Sequence, residues 1–281
     1  MGQFPQIKLP LASWIDKGVD WLTVEGGAFF DGISKLLLGP LVQLERFLLW
    51  VPWFVVILAV ALIAWRVVGW KLALGATVGL FFIGTLGLWE HAMKTLALVI
   101  AGTLLAVIAA IPTGIAMARS NWFERAMRPV LDLMQTMPSF VYLVPALMLM
   151  GMGKVPAVLA TFIYAVPPAI RLTNLGIRQV PADVLEAAQS FGSTPGQLLL
   201  KVQLPLALPT IMAGINQTVM MALAMVVIAS MIGAGGLGTE VLNGIARLEA
   251  GRGFVGGLSI VIMAIIIDRI SQGLTRGQPQ S

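Results

Sequence analysis

The chain contains no cysteine. Disulfides, zinc–thiolate sites and cysteine nucleophiles are therefore excluded. Charge is scarce too: Asp, Glu, Lys and Arg make up 11% of the 281 residues. A typical soluble domain carries about 25%. The single histidine, His91, stands beside Glu90 at the edge of an apolar run, where a structural role suits it better than ligation or base chemistry. No Ser/His/Asp set or metal cluster is visible. No Walker sequence G-x-x-x-x-G-K-[ST] is present; GMGKV at 151–155 lacks both its spacing and its hydroxyl. GAGGLG at 233–238 matches G-x-G-x-x-G in letters only. It follows an apolar span instead of a strand, so it reads as a glycine-rich helix end.

What is abundant is hydrocarbon. Hydrophobic residues make up 58% of the chain, and the mean hydropathy is +0.91. That predicts an all-α integral membrane protein. The net charge of +5 is then read as membrane orientation and not as an affinity for nucleic acid. The opening MGQFPQIKLP has neither the basic start nor the short apolar run of a cleavable signal.

About seven spans are expected, near 47–65, 70–89, 95–118, 130–152, 155–170, 206–232 and 254–267. Pro112, Pro138, Pro145, Pro167 and Pro168 should bend them or free carbonyls. Gly75 and Gly79 have the small-xxx-small spacing of close helix contacts. With the 171–205 loop inside, the inner loops and C-terminal tail carry ten Lys and Arg, against four in the short outer loops. The positive-inside rule then puts the N-terminus outside and the C-terminus inside. Residues 1–46 become an external tail. LASWIDKGVDWL at 11–22 has one apolar face, and a second amphipathic run after it is expected to break at Gly39-Pro40. Trp14 and Trp21 suit the headgroup region.

The most soluble-looking stretch is EAAQSFGSTPGQLLLKVQLP at 186–205. Pro181 can open a helix, and Asp183 and Glu186 favour its N-terminal half. Gly192 fits the left-handed position that ends it. Thr194 can cap a second helix, Pro195 can sit in its first turn and Gln197 can complete a capping box. Pro205 should stop that helix before the sixth span. The result is a small rigid knob with little bulk at Ala187 and Ala188, suited to another protein's groove.

Glu186-Ala187-Ala188, then Gly192, Val202 and Leu204-Pro205 resemble the EAA loop of ABC importer permeases, with Val202 where that pattern has Ile. The stretches beginning QTMPSFVYLVPALMLMGMGK (from Gln135) and NQTVMMALAMVVIASMIGAGGLG (from Asn216) are similar to permeases of the glycine betaine and proline betaine uptake family. The resemblance covers roughly 85–275. It implies a type I ABC importer permease fold of about seven transmembrane helices. Its parts would be an external amphipathic segment (1–46), two peripheral spans (47–89), a core (90–270) with the coupling loop 171–205, and a cytoplasmic tail (271–281). It also implies a multi-pass protein of the bacterial inner membrane that imports a quaternary ammonium osmoprotectant, choline and carnitine included. Such a subunit is not itself an enzyme and holds no cofactor or metal. Two cytoplasmic ATPases bind ATP and Mg, a second and identical permease completes the pathway, and an external binding protein delivers the solute. Alternatives are a permease for another small solute or an ion-coupled secondary transporter. The latter would need inverted repeats or a buried acid; no clear repeat is visible, and Asp132 is the only acid within an expected span.

Polar residues inside spans are candidate functional groups. Gln135, Thr136, Asn216 and Gln217 are candidates for the pathway, and Phe140 and Tyr142 could offer rings to a trimethylammonium. Asp132 is expected to pair with Arg128 one turn earlier.

Overall fold

The computed structural model describes residues 10–276. Among them there are helices and no strand. The order is α1 (Leu11–Glu25), α2 (Gly27–Trp50), α3 (Trp53–Val67), α4 (Trp70–Thr85), α5 (Trp89–Arg119), α6 (Asn121–Thr136) and α7 (Ser139–Met150). Then follow α8 (Lys154–Arg178), α9 (Ala182–Ser190), α10 (Pro195–Gln197), a π turn (Leu198–Gln203), α11 (Leu204–Ser230), α12 (Leu237–Ala246) and α13 (Ala250–Arg276).

Helices α5, α8, α11 and α13 are long and apolar enough to cross a membrane. They match the third, fifth, sixth and seventh expected spans. The first and fourth are bent. The chain turns by 101° between α2 and α3 and by 97° between α6 and α7. One cause serves both: Val51 and Met137 each precede a proline and are extended, with ψ of 128° and 133°. Proline's ring disfavours the helical region for the residue before it. The second expected span is α4, an apolar helix of 16 residues.

Three local expectations are corrected. Helix α2 runs unbroken through Gly39-Pro40. Its Leu41 is buried in the core, and its Glu45 is paired with Lys154 of α8, so packing overrides the local signal. Helix α8 does not end near 170 but continues to Arg178, because Thr173, Asn174, Gly176 and Ile177 are all buried on its packed face. Pro205 does not stop the second loop helix. The π turn ahead of it, in which Leu204 N–H donates to Leu199 O, carries the helix straight into α11. Widened i→i−5 bonding accommodates the missing N–H and the bulk of the ring.

The centre is a stack of three helices with α8 between α5 and α11, built from small side chains. Ala106 and Ala110 of α5, Ala160, Ala165 and Ala169 of α8, and Ala207 and Ala222 of α11 are all buried. A Cβ on Gly114 would lie 2.5 Å from Thr173 Cβ, and one on Gly214 2.9 Å from Leu172 Cβ. Backbones can approach so closely only where the side chain is absent. A second cluster joins α3 and α4 to α13 through Ile57, Leu80, Ile83, Met263 and Ile266. Gly79 also meets α13, 2.7 Å from Ile262 for an added Cβ, whereas Gly75 faces open space. Only one residue of that spaced pair makes a contact.

Candidate coupling site and pathway

At one end of the bundle α5, α6 and α8 converge on a buried carboxylate. Ser120 caps α6 by accepting from Phe123 N–H, and Glu124 follows in the first turn, where the helix dipole favours an acid. Glu124 is 7% exposed. It receives Arg128 at 2.7 Å, Arg178 at 2.9 Å and the Asn174 amide at 3.1 Å. Arg178 also donates to Asn174 Oδ1 and to Met117 O near the end of α5. Nearly every polar position in the cluster is used, as a buried ion pair requires. The expected Arg128–Asp132 pair is corrected here. Arg128 turns back to Glu124, and Asp132 pairs across to Arg171 of α8 at 2.6 Å. The acid-before-base order of Glu124 and Arg128 at i,i+4 is the better helix pair, and it was available in the sequence.

The loop leaves this clamp two residues after Arg178. Val180 is buried and Pro181 is the N-cap of α9, one position before the expected first turn. Helix α9 carries Glu186, Ala187 and Ala188, and none of its residues is buried. It ends in a Schellman motif: Ser193 N–H donates to Ala188 O at 3.1 Å and Gly192 N–H to Gln189 O at 2.8 Å. Gly192 has φ +81°. Thr194 Oγ1 then accepts from Gln197 N–H while Gln197 Oε1 accepts from Thr194 N–H, the reciprocal box expected from the sequence. Phe191, at the turn between the helices, is 92% exposed. Beyond them, Leu199 of the π turn packs with Ile177, Ala207 and Ile211. The knob is thus fixed at both ends, to α8 by chain continuity and to α11 by an unbroken helix. Its tip is apolar and uncovered.

The pathway candidates fall into two sets. Gln135 and Thr136 end α6, and Thr136 bonds back to Asp132 O at 2.9 Å. Phe140 is exposed on α7 just past the bend, while Tyr142 is buried and its hydroxyl donates to Met134 O, tying the bend shut. On α11, Gln217 is exposed, and Asn216 donates to Asp268 of α13 at 3.4 Å. Asn216 Oδ1 is buried without a partner. Asp268, which also receives Gln272, lies within the long α13 and not beyond its end, so Asp132 is not the only acid on a spanning helix.

The opposite end of α11 opens into the glycine-rich turn. Gly233, Gly235 and Gly236 all have positive φ, and α12 starts at Leu237, whose N–H donates to Thr95 Oγ1 at 2.8 Å. This is a helix end, as its setting predicted. Glu240 of α12 accepts two bonds from Arg252, at 2.7 and 3.2 Å, and lies 3.5 Å from His91. The Arg252 hydrogen bonds hold the Glu240 carboxyl below its usual range, against the opposing effect of burial.

Residues 102–278 match the family described as the binding-protein-dependent transport system inner membrane component. The chain belongs to that family. It is 51% identical over 97% of its length to the glycine betaine/proline betaine transport system permease protein ProW of Escherichia coli, covering 77% of that protein. It is also 51% identical to the glycine betaine/carnitine transport permease protein GbuB of Listeria monocytogenes, over 95% of this chain and 96% of that one. To the glycine betaine transport system permease protein OpuAB of Bacillus subtilis it is 46% identical, over 98% and 96%. An inward-facing structure of the MetNI methionine ABC transporter superposes with a TM-score of 0.60 at 21% identity, covering 65% of this chain and 92% of that one. The fold is that of the type I ABC importer permeases, and the chain is a multi-pass inner-membrane permease. A family so defined works with a binding protein and an ATPase.

Proposed function

We propose that the chain is the permease subunit of an ATP-driven importer of glycine betaine, proline betaine or a related quaternary ammonium osmoprotectant such as choline or carnitine. The observation that carries this reading is 51% identity over 97% of the chain to a permease named for glycine betaine and proline betaine. The chain itself hydrolyses nothing. ATP and Mg are bound by two cytoplasmic ATPase subunits, which seat on α9 of each of two identical permease chains. Nucleotide-driven closure pushes the knob, and α8 and α11 carry the movement into the bundle. The coupling residues are Glu186, Ala187, Ala188, Gly192 and Pro205. Gln135, Thr136, Phe140, Tyr142, Asn216 and Gln217 are the candidate pathway residues. The excess of basic residues on the coupling-loop side supports an external N-terminus and an internal C-terminus.

The test is uptake of labelled glycine betaine by cells lacking the permease, with the ATPase and binding protein present. Restoration by the chain, with competition by choline or proline, is the expected result. An inserted protein that restores none would redirect the reading to another solute. The purified permease alone should show no ATP hydrolysis.

A further inference from the structure

Among the described residues, Schellman motifs close α4, α9 and α11 with a glycine in the left-handed position (Gly87, Gly192 and Gly233), and the one that closes α12 differs in one respect. At the end of α12, Glu249 N–H donates to Gly244 O at 2.8 Å and Leu248 N–H to Ile245 O at 3.2 Å, and the left-handed position is Leu248, with φ +55°. Leu248 is the one non-glycine residue with positive φ among the described residues. A side chain with a Cβ is disfavoured there, and a γ-branched apolar one gains nothing from the conformation. Leu248 does not recover that loss by packing, since it is 91% exposed. Strained backbone persists where the surroundings over-determine it, and an observed outlier is a reason to look for a role.

The surroundings here are rigid. Arg252 bonds Glu240 twice and lies 3.5 Å from Glu249, so ion pairs staple the turn from both sides. The backbone of Gly244 also lies against that of Gly253: a Cβ there would come within 2.4 Å of Gly253 N. The turn is therefore a fixed mount holding one leucine away from the protein. Its position is also defined. Helix α11, 27 residues or about 40 Å at about 1.5 Å per residue, separates it from the coupling loop. It stands on the face opposite the ATPase seat.

We propose that the Leu248 turn is a docking tip for the solute-binding protein. The inference rests on the importer reading above, in which the face opposite the ATPase receives that protein. An apolar anchor ringed by charges is the usual form of a protein contact. Leu248 stands between Arg247 and Glu249, of opposite sign, and Arg252 lies 3.5 Å from Glu249. A turn sunk in the hydrocarbon would not keep three charged side chains around its apolar tip.

The experiment compares wild type, Leu248→Gly and Leu248→Asp in the assembled permease–ATPase complex in lipid nanodiscs. It titrates whichever binding protein stimulates the wild-type ATPase, whatever its solute, so that failure of the betaine reading leaves the comparison intact. Leu248→Gly relieves the strain and removes the anchor. It should raise the Tm of the complex while raising the half-saturating binding-protein concentration about tenfold, the scale of losing a central contact. Leu248→Asp should weaken docking further with the permease pair intact. A merely structural role would not raise stability and weaken docking together. An unchanged half-saturating concentration in Leu248→Gly would overturn the proposal. So would dissociation of the permease pair in Leu248→Asp by native mass spectrometry, which would make the turn a contact between two copies of this chain.

Discussion

Glu124 of α6 and Arg178 of α8 meet at 2.9 Å, two residues before the chain leaves the bundle for the coupling loop. The pair closes a triangle with Met117 O on α5 and Asn174 on α8. Any force applied to α9 therefore acts on three helices at once and not on a loose tether. The base of the loop is thereby clamped to α5, α6 and α8.

Glu124→Ala should uncouple the transporter. It leaves Arg178 and Asn174 facing a space without their acceptor, a loss of about 1–3 kcal/mol at a buried site. The half-exposed guanidinium puts the effect at the lower end. The expected outcome is an inserted protein whose ATPase partner no longer responds to solute. Measurement of uptake and ATP turnover in parallel checks it; a fall in both, in proportion to protein abundance, would indicate simple misfolding.

Gly192→Val should act differently. At φ +81° a β-branched residue is strained by at least about 1–2 kcal/mol, and no neighbour lies within 4 Å of the position of its Cβ. The strain is therefore conformational and not steric, so the knob should reorient while the bundle stays intact. Normal membrane abundance with little uptake is the expected result, and wild-type uptake would count against it. Gly192→Asn, which tolerates the left-handed region better, should recover part of the activity.

Much of this site was legible in the sequence because its signals are local. A glycine at a helix end and a Thr-x-x-Gln box each act within a few residues and took their expected form at Gly192 and Thr194, while Pro181 opens α9 one position ahead of its expected first turn. Apart from Pro205, where the π turn just ahead carries the helix on, the misreadings involve a partner distant in sequence. Helix α2 crosses Gly39-Pro40 because Glu45 finds Lys154, and Asp132 takes Arg171 because α8 runs farther than its hydropathy suggests. The Glu124 cluster was missed for the same reason, although its pairing with Arg128 was readable. Leu248 carries no sequence signal, since leucine is not the residue expected in a left-handed turn.

The close contact of α8 with α11 gives a third expectation. At Gly214 an added Cβ would lie 2.9 Å from Leu172 Cβ and 3.1 Å from Ala169 Cα. Both neighbours are near or on the backbone and cannot swing away. Gly214→Ala should separate the two helices and lower stability by about 1–3 kcal/mol, as overpacking does. Gly75→Ala on α4, which meets nothing within 4 Å, is the matched control and should be neutral or slightly stabilising. Thermal unfolding in detergent compares the two.

The acid limb of stability should depend on Glu240. Its folded-state carboxyl titrates below the ordinary value of 4.5, first because Arg252 hydrogen-bonds to it. A depressed carboxylate contributes stability that is present above its unfolded pKa and is lost as pH falls through the folded value. The pair should therefore stabilise the α12–α13 junction fully at neutral pH and progressively less below about pH 4.5. Glu240→Gln removes the titration while keeping an acceptor for Arg252. Its Tm should be lower than wild type at pH 7, and the difference should shrink as pH falls into the acid range. A difference that is constant from pH 7 down through that range would show that the pair contributes by shape alone, and that His91 and Arg252 do not respond to the charge on Glu240.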